Sequence, residues 1–178
     1  IYFASKKYLN NSKLENFIKF FLYNSGIPRE IKVSKYFNKN TTEKILYDYS
    51  SFLSTNLLNA NQVPGVLNFI KKLFYEKKNI YILSGGNIDE INNILKNNNM
   101  LKFFNNILAG PVDKQSNYEK LRLKNKAIFF GDSIHDYEIA INNKLDFVFV
   151  YGFTIQENWK KKLNQNNCLS ILKNFYKL

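Results

Sequence analysis

The sequence predicts an α/β protein, a parallel sheet flanked by helices and preceded by a small all-helical segment. Three observations carry that prediction. From Val63 onward, short apolar runs alternate with helical patterns, and alternating βα units imply parallel strands covered by helices. Residues 1–60 show helical periodicity and no convincing strand. Two of the apolar runs end in glycine turns that open helices, at Ser84-Gly85-Gly86 and at Gly131-Asp132-Ser133. The carboxyl ends of parallel strands are where open α/β sheets bind ligands.

Leu14, Phe17, Ile18 and Phe21 recur at i, i+3, i+4 and i+7, the stripe of a helix with one buried face. Gly26-Ile27-Pro28 breaks that helix, and Arg29 to Phe37 starts the next. Thr41 to Leu58 forms a third, with Ile45, Leu46 and Tyr49 on one side. The α/β part, residues 61–178, then reads as helix 65–77, strand 79–84, helix 87–97, short strand 107–109 and helix 116–123. It continues as strand 127–131, helix 134–143, strand 146–151 and a final helix near 168–177. Asn97-Asn98-Asn99 is a loop at a helix end.

The length of 178 residues suits one core domain with a small insertion. Apolar residues make up 45% of the chain, enough for a substantial core. No uninterrupted apolar run approaches the ~20 residues of a membrane span. Cys168 is the one cysteine; it excludes an intrachain disulfide and a cysteine metal cluster, so a reducing, cytoplasmic setting is expected. The net charge of +12 raises the question of nucleic acid. Yet only Arg29 and Arg122 are arginines, the lysines are scattered, and specific nucleic-acid surfaces rely on arginine forks. The densest basic cluster, Lys160-Lys161-Lys162 beside Trp159, reads as a solvated face. Neither a nucleic-acid nor a membrane partner is expected; a basic nucleic-acid module is the reading that salt-sensitive retention on a polyanion would favour.

Chemistry concentrates in three places. Ala127 to Phe130 leads into Gly131-Asp132-Ser133-Ile134-His135-Asp136, which presents two carboxylates four positions apart. Two converging acids repel unless a cation joins them, and oxygen-only ligands suit Mg²⁺. Asn79 to Leu83 leads into Ser84-Gly85-Gly86 and a helix. A hydroxyl, two glycines and a helix N-terminus make a phosphate-sized anion site. Between them, Gly110-Pro111-Val112-Asp113-Lys114 brings a lysine to the same sheet edge. Taken singly, a G-D-S turn with a capping Asp, an S-G-G turn and a surface lysine are each ordinary features.

Together and in this order, they resemble motifs II, III and IV of the haloacid dehalogenase (HAD) superfamily. The resemblance covers essentially the whole chain: residues 1–60 look like the helical cap of phosphoglycolate-phosphatase-like members, and residues 61–178 like a HAD-like Rossmannoid core. Within the cap, Gly26-Ile27-Pro28-Arg29 through Lys35-Tyr36-Phe37 is similar to a subgroup pattern. The resemblance implies a Mg²⁺-dependent phosphomonoester hydrolase acting on a small phosphorylated metabolite, as a monomer or homodimer. It implies that Asp132 and Asp136 hold the metal, Asp136 through water or from behind, and that Ser84, Gly85 and Lys114 hold the phosphate. Lys120 competes with Lys114 for the motif III role. His135, between the acids, either touches substrate or is an exposed helix-start residue. Arg29 either binds a remote anionic group of the substrate or makes a surface salt bridge, for instance with Glu30 or Glu43.

One element of the family pattern is missing. Asp residues stand at 48, 89, 113, 132, 136 and 146, and none forms the D-x-D pair of motif I, which carries the nucleophile and a general acid/base. The expectation is a truncation upstream of Ile1 by about 10–25 residues, leaving the chain as given inactive. The motif I strand would be central, between the Tyr81 and Phe129 strands, and without it each flanks an unfilled slot. A catalytically inactive HAD-like binding protein, and a phosphotransferase or phosphoglucomutase-like isomerase, are the alternatives.

Overall fold

Apolar side chains repeating every three to four residues build the N-terminal helices around one another. The computed structural model describes residues 1–24, 26–123 and 125–178, with the side chain of Asn59 excepted. Helices α1 (Tyr2–Ser5), α2 (Asn11–Tyr23), α3 (Arg29–Ser34) and α4 (Lys39–Asn56) enclose Ala4, Phe17, Phe21, Val33 and Ile45. The Asn10 and Asn38 side chains start α2 and α4 by accepting the free N–H groups of Lys13 and Thr41. Phe17 is fully buried, with the rings of Tyr36 and Phe37 each 5.1 Å away.

The α/β part follows as α5 (Val66–Tyr75), β1 (Tyr81–Asn87), α6 (Ile88–Asn97), β2 (Asn106–Gly110), α7 (Lys114–Leu121) and β3 (Ile128–Gly131). It ends with α8 (Ile134–Asn142), β4 (Asp146–Val150), α9 (Trp159–Lys162) and β5 (Ser170–Leu172). All strand pairs are parallel: β1 with β2, β3 with β4, and β4 with β5. Among the described residues, no helix is long and apolar enough to cross a membrane.

The sequence-based element order holds, with one correction. The segment near 168–177, expected to be helical, contains β5. Phe149 and Val150 of β4 pair with Ile171 and Leu172, and the Leu169 N–H donates to the Phe147 carbonyl at 2.8 Å. A buried strand edge left unpaired would cost more than a short apolar run gains as an isolated helix, so tertiary pairing overrides the local period. Strand β1 also runs further than expected, through Gly85 and Gly86 to Asn87, with its register breaking between Leu83 and Asn87.

The strands form two sheets, β1-β2 and β3-β4-β5. Among the described residues β1 and β3 do not pair, so each keeps one free edge. Burial reflects this. Phe147, Val148, Phe149 and Val150 of β4 are buried, whereas Tyr81 and Ile128, at the starts of β1 and β3, are 36% and 50% exposed. Helix α5 spans the division. Its Ile70 packs with Leu95, Met100 and Phe103 and against Ile82 and Ile107. Its Phe69 meets Phe130 of β3 at 5.2 Å and Phe175 at 5.4 Å. The second half has its own core of Ala140, Phe147, Phe149 and Leu163.

Candidate active site

The carboxyl ends of β1 and β3 open under the helical bundle into a cavity of about 370 Å³. Ser84, Gly85, Gly86, Lys114 and Asp132 line it from the α/β side, and Phe21, Gly26, Ile27, Arg29, Lys32 and Tyr49 line it from the bundle. The sequence-predicted Ser84, Gly85, Lys114, Asp132 and Arg29 are therefore brought together. A larger depression of about 500 Å³ on the bundle includes Lys7 and Asp48, already paired at 3.2 Å and both exposed. It contains none of the predicted chemistry.

Each core residue is placed by local structure. Ser84 follows the apolar strand, and its Oγ accepts the Gly86 N–H at 3.0 Å, tightening the turn into α6. Gly85 must lack a side chain, since a Cβ there would lie 2.4 Å from the Gly26 carbonyl oxygen of the bundle. Gly26 itself has φ +97, so the turn that touches the core also depends on glycine. Lys114 is the first residue of α7, whose N-cap Asp113 accepts the Ser116 N–H. Lys120 points elsewhere, its Nζ donating to Asn117 Oδ1 at 3.3 Å. Of the two competing lysines, Lys114 is the one at the cavity.

The two acids differ sharply. Asp136 is 3% exposed and sits behind the cavity. Its Oδ2 accepts the Ser133 hydroxyl at 2.7 Å in a capping box at the start of α8, while its Oδ1 is in direct ion-pair contact with Lys114. Gly131 makes room: a Cβ there would come within 2.4 Å of the Asp136 Cβ. Asp132 lines the cavity and, among the described residues, has no ion pair or side-chain hydrogen bond. Burial raises its pKa first, the nearby Asp136 raises it further, and Lys114 opposes both. A half-buried carboxylate short of positive charge beside an anion-sized loop is compatible with a cation. Mg²⁺ is commonly held by one or two carboxylates together with substrate phosphate and water. No group of three or more His, Cys, Asp or Glu side chains stands ready for a metal among the described residues. Such an ion would therefore rest chiefly on Asp132.

His135 is partly buried rather than exposed: a Cβ on Gly26 would meet its ring at 2.9 Å. Burial and the charge of Lys114 lower its pKa. Arg29 makes neither of the salt bridges anticipated for it. Its two terminal nitrogens donate to both Glu90 oxygens at 2.9 and 2.7 Å, joining α3 to the first turn of α6. Its guanidinium also lies 5.1 Å from the Tyr49 ring.

Lys32 was missed. It is 6% exposed, donates to the Phe21 carbonyl at 3.1 Å and stands 3.9 Å from the Phe21 ring. Desolvation, and then the charge of Arg29, lower its pKa to about 8. The signal was available, since Lys32 follows Arg29 by one helical turn and shares its face. Glu90 had no such signal, because its contact crosses 61 residues.

No family model matches the sequence, and no curated protein does. Solved structures are similar to it along nearly its whole length. A predicted phosphatase from Clostridium acetobutylicum superposes with TM-score 0.70 at 20% identity, over 95% of this chain and 82% of the other. A haloacid dehalogenase-like hydrolase from Streptococcus pneumoniae gives TM-score 0.68 at 16% identity, over 95% and 81%. A HAD-hydrolase from Bacillus subtilis bound to magnesium gives 0.65 at 12%, over 98% and 85%. The chain has the HAD-like fold.

Proposed function

We propose that the cavity binds a small phosphomonoester, and that the site, completed by a strand carrying a D-x-D pair, hydrolyses it. The observation that carries this reading is the convergence of Ser84, Gly85, Gly86, Lys114 and Asp132 on one cavity at the carboxyl ends of two parallel strands. The HAD-like fold supports it.

In this reading the Ser84 hydroxyl and the backbone N–H groups of the glycine turn hold non-bridging phosphoryl oxygens. Lys114 neutralises them and is itself fixed by Asp136, which Ser133 holds in turn. Asp132, with Asp136 behind it, would hold a Mg²⁺ ion, which supplies positive charge to the phosphoryl oxygens. The nucleophilic Asp and its acid/base partner would come from a strand lying between β1 and β3, where two free edges can pair with it. Fixed charges of this kind carry most of phosphoryl-transfer catalysis.

Calorimetric titration of the 178-residue protein with inorganic phosphate, with Mg²⁺ present, tests the reading. Lys114→Met is expected to weaken phosphate at least tenfold and Lys120→Met to leave it unchanged. Absence of phosphate binding, or a larger loss at Lys120, defeats it. Binding at this site with no hydrolysis of an aryl phosphate by a D-x-D-containing form would identify a binding protein instead.

A further inference from the structure

Lysines scattered along the sequence are gathered by the topology at one end of the molecule. With parallel strands, every helix that leads into a strand ends beside that strand's amino end, opposite the cavity. The turns into β1, β2, β3 and β4 carry Lys77 and Lys78, Lys102, Arg122 and Lys126, and Lys144, all exposed. Tyr81 of β1 pairs with Asn106 of β2, and Ile128 of β3 with Asp146 of β4. Lys77 and Lys102 thus each stand four residues ahead of one paired position, and Lys126 and Lys144 two ahead of another. The first two turns are also joined directly: Asn105 donates its N–H to the Ile80 carbonyl and its side-chain oxygen accepts the Ile80 N–H, both at 2.8 Å. Among the described residues none of these basic side chains has a carboxylate partner, although Glu76 and Asp146 lie at the same end. Helix C-termini favour a cation within their last turn, which accounts for Lys77, Arg122 and Lys144. Those three take left-handed φ values of 56, 45 and 55, where glycine is the unstrained choice. Lys102 and Lys126 lie past the helices that precede them, so this end carries positive charge in excess. Apolar surface lies among the charges: Tyr75 is 78% exposed, and Leu101, Tyr81 and Ile128 are exposed too.

We propose that this end of the molecule is a docking surface for an anionic phospholipid membrane. The sequence-based expectation of no membrane partner rested on the lack of an apolar span and on scattered lysines, and the fold gathers those lysines. Docking of this kind is peripheral and needs no spanning helix. Charge complementarity argues for it, since each basic side chain near an anionic leaflet strengthens binding without any arginine fork. The interspersed Leu101 and Ile128 favour lipid over nucleic acid, because aliphatic groups gain at the acyl boundary and offer bases no stacking face. Tyr75 and Tyr81 suit the headgroup level. The cavity opens at the carboxyl ends of β1 and β3, so a docked molecule keeps it open to solution. The inference does not depend on what the cavity binds.

Flotation of the 178-residue protein with vesicles tests this, comparing pure phosphatidylcholine with phosphatidylcholine containing phosphatidylserine at physiological salt. At least tenfold stronger binding to the anionic vesicles is expected, as is its loss in ~1 M salt, where screening acts within ~3 Å. Lys102→Gln combined with Lys126→Gln removes two charges outside the left-handed turns and should weaken binding at least tenfold, at about fivefold per lysine. Lys102→Arg combined with Lys126→Arg should retain it. Lys13→Gln combined with Lys19→Gln, at exposed positions of α2 in the bundle, removes the same charge elsewhere and should change binding less than twofold. Three results overturn the proposal: equal binding to the two kinds of vesicle, equal losses in the two glutamine double variants, or an oligouridylate bound more tightly than the anionic vesicles.

Discussion

Replacing Arg29 by methionine removes one half of a bidentate ion pair whose side chains are only 10% and 14% exposed. Methionine keeps much of the aliphatic stem, so the loss falls on the charge and its hydrogen bonds. Breaking a buried pair by deleting one partner costs about 3–5 kcal/mol, because the other charge stays behind unpaired. Glu90 retains some solvent and lies in the first turn of α6, where the helix dipole offsets about 0.5 kcal/mol. The cation–π contact with Tyr49 contributes about 0.5–1 kcal/mol. Arg29→Met is therefore expected to cost about 3 kcal/mol, Glu90→Gln about 2 kcal/mol, and the double variant only about 3 kcal/mol, a coupling of about 2 kcal/mol. Urea unfolding of all four proteins, with the m-values compared, measures it. For a chain of this size the Arg29→Met loss corresponds to a Tm about 6–12 °C lower. A coupling under about 0.5 kcal/mol would mean that the pair is not what seats the bundle on the core.

Lys32→Met should act in the opposite direction. A lysine with pKa about 8 in the fold and 10.5 unfolded binds fewer protons when folded, so its penalty is complete below pH 8, fades as pH rises from 8 to 10.5, and is gone above that. The full shift corresponds to about 3 kcal/mol, which residual solvent reduces to about 1–2 kcal/mol. Thermal melts should thus show Lys32→Met more stable at pH 7 and equal near pH 11; a pH-independent difference would contradict the desolvated charge. Gly85→Ala drives a methyl into the Gly26 carbonyl, and should cost about 1–3 kcal/mol in a denaturant melt together with most phosphate affinity. Ser133→Ala removes the α8 capping box, with an expected cost of about 1 kcal/mol. It should also weaken inorganic phosphate severalfold, because Asp136 then holds Lys114 less firmly; unchanged affinity would show that Lys114 needs no such support.

The elements were legible wherever a period repeats. Leu14, Phe17, Ile18 and Phe21 announced α2, and the runs ending in Ser84 and Gly131 announced the two strands that frame the cavity. The residues proposed to hold phosphate were legible because each occupies a turn at a strand end, a position that local sequence encodes. Three features were not. Strand β5 forms because β4 offers an edge, and nothing within residues 170–172 distinguishes that from a helical turn. The Arg29–Glu90 pair depends on how the bundle settles on α6, which no local pattern reports. The family resemblance sets Asp136 behind Asp132, but nothing in the sequence ties Asp136 to Lys114. Only the capping geometry of Ser133 separates the acid that faces the cavity from the one that anchors Lys114.

That separation bears on how the two sheets act together. Ser84 stands on the β1-β2 side and Asp132 on the β3-β4-β5 side, so the cavity straddles the division between them. Links that cross it among the contacts described include the Phe69, Phe130 and Phe175 rings, the reciprocal Gln115–Asn143 side-chain hydrogen bonds at 3.1 and 2.7 Å between α7 and α8, and the Lys114–Asp136 ion pair at the carboxyl ends. The aromatic link is nondirectional and tolerates small slips, since dispersion and burial depend weakly on angle. The ion pair does not, because a charge-assisted hydrogen bond fixes its two atoms within a few tenths of an ångström. Lys114 therefore helps hold the two halves together and would contribute the cation of the proposed phosphate site. Anything that pairs with the free edges of β1 and β3 would hold them at strand spacing, relieving Lys114 of the first task. Inorganic phosphate should then bind more tightly without any new contact to it. A synthetic apolar strand peptide lacking acids, added to the protein before the phosphate titration, isolates that effect. At least a threefold gain is expected, and a peptide that binds without any gain would show that the halves are already correctly spaced.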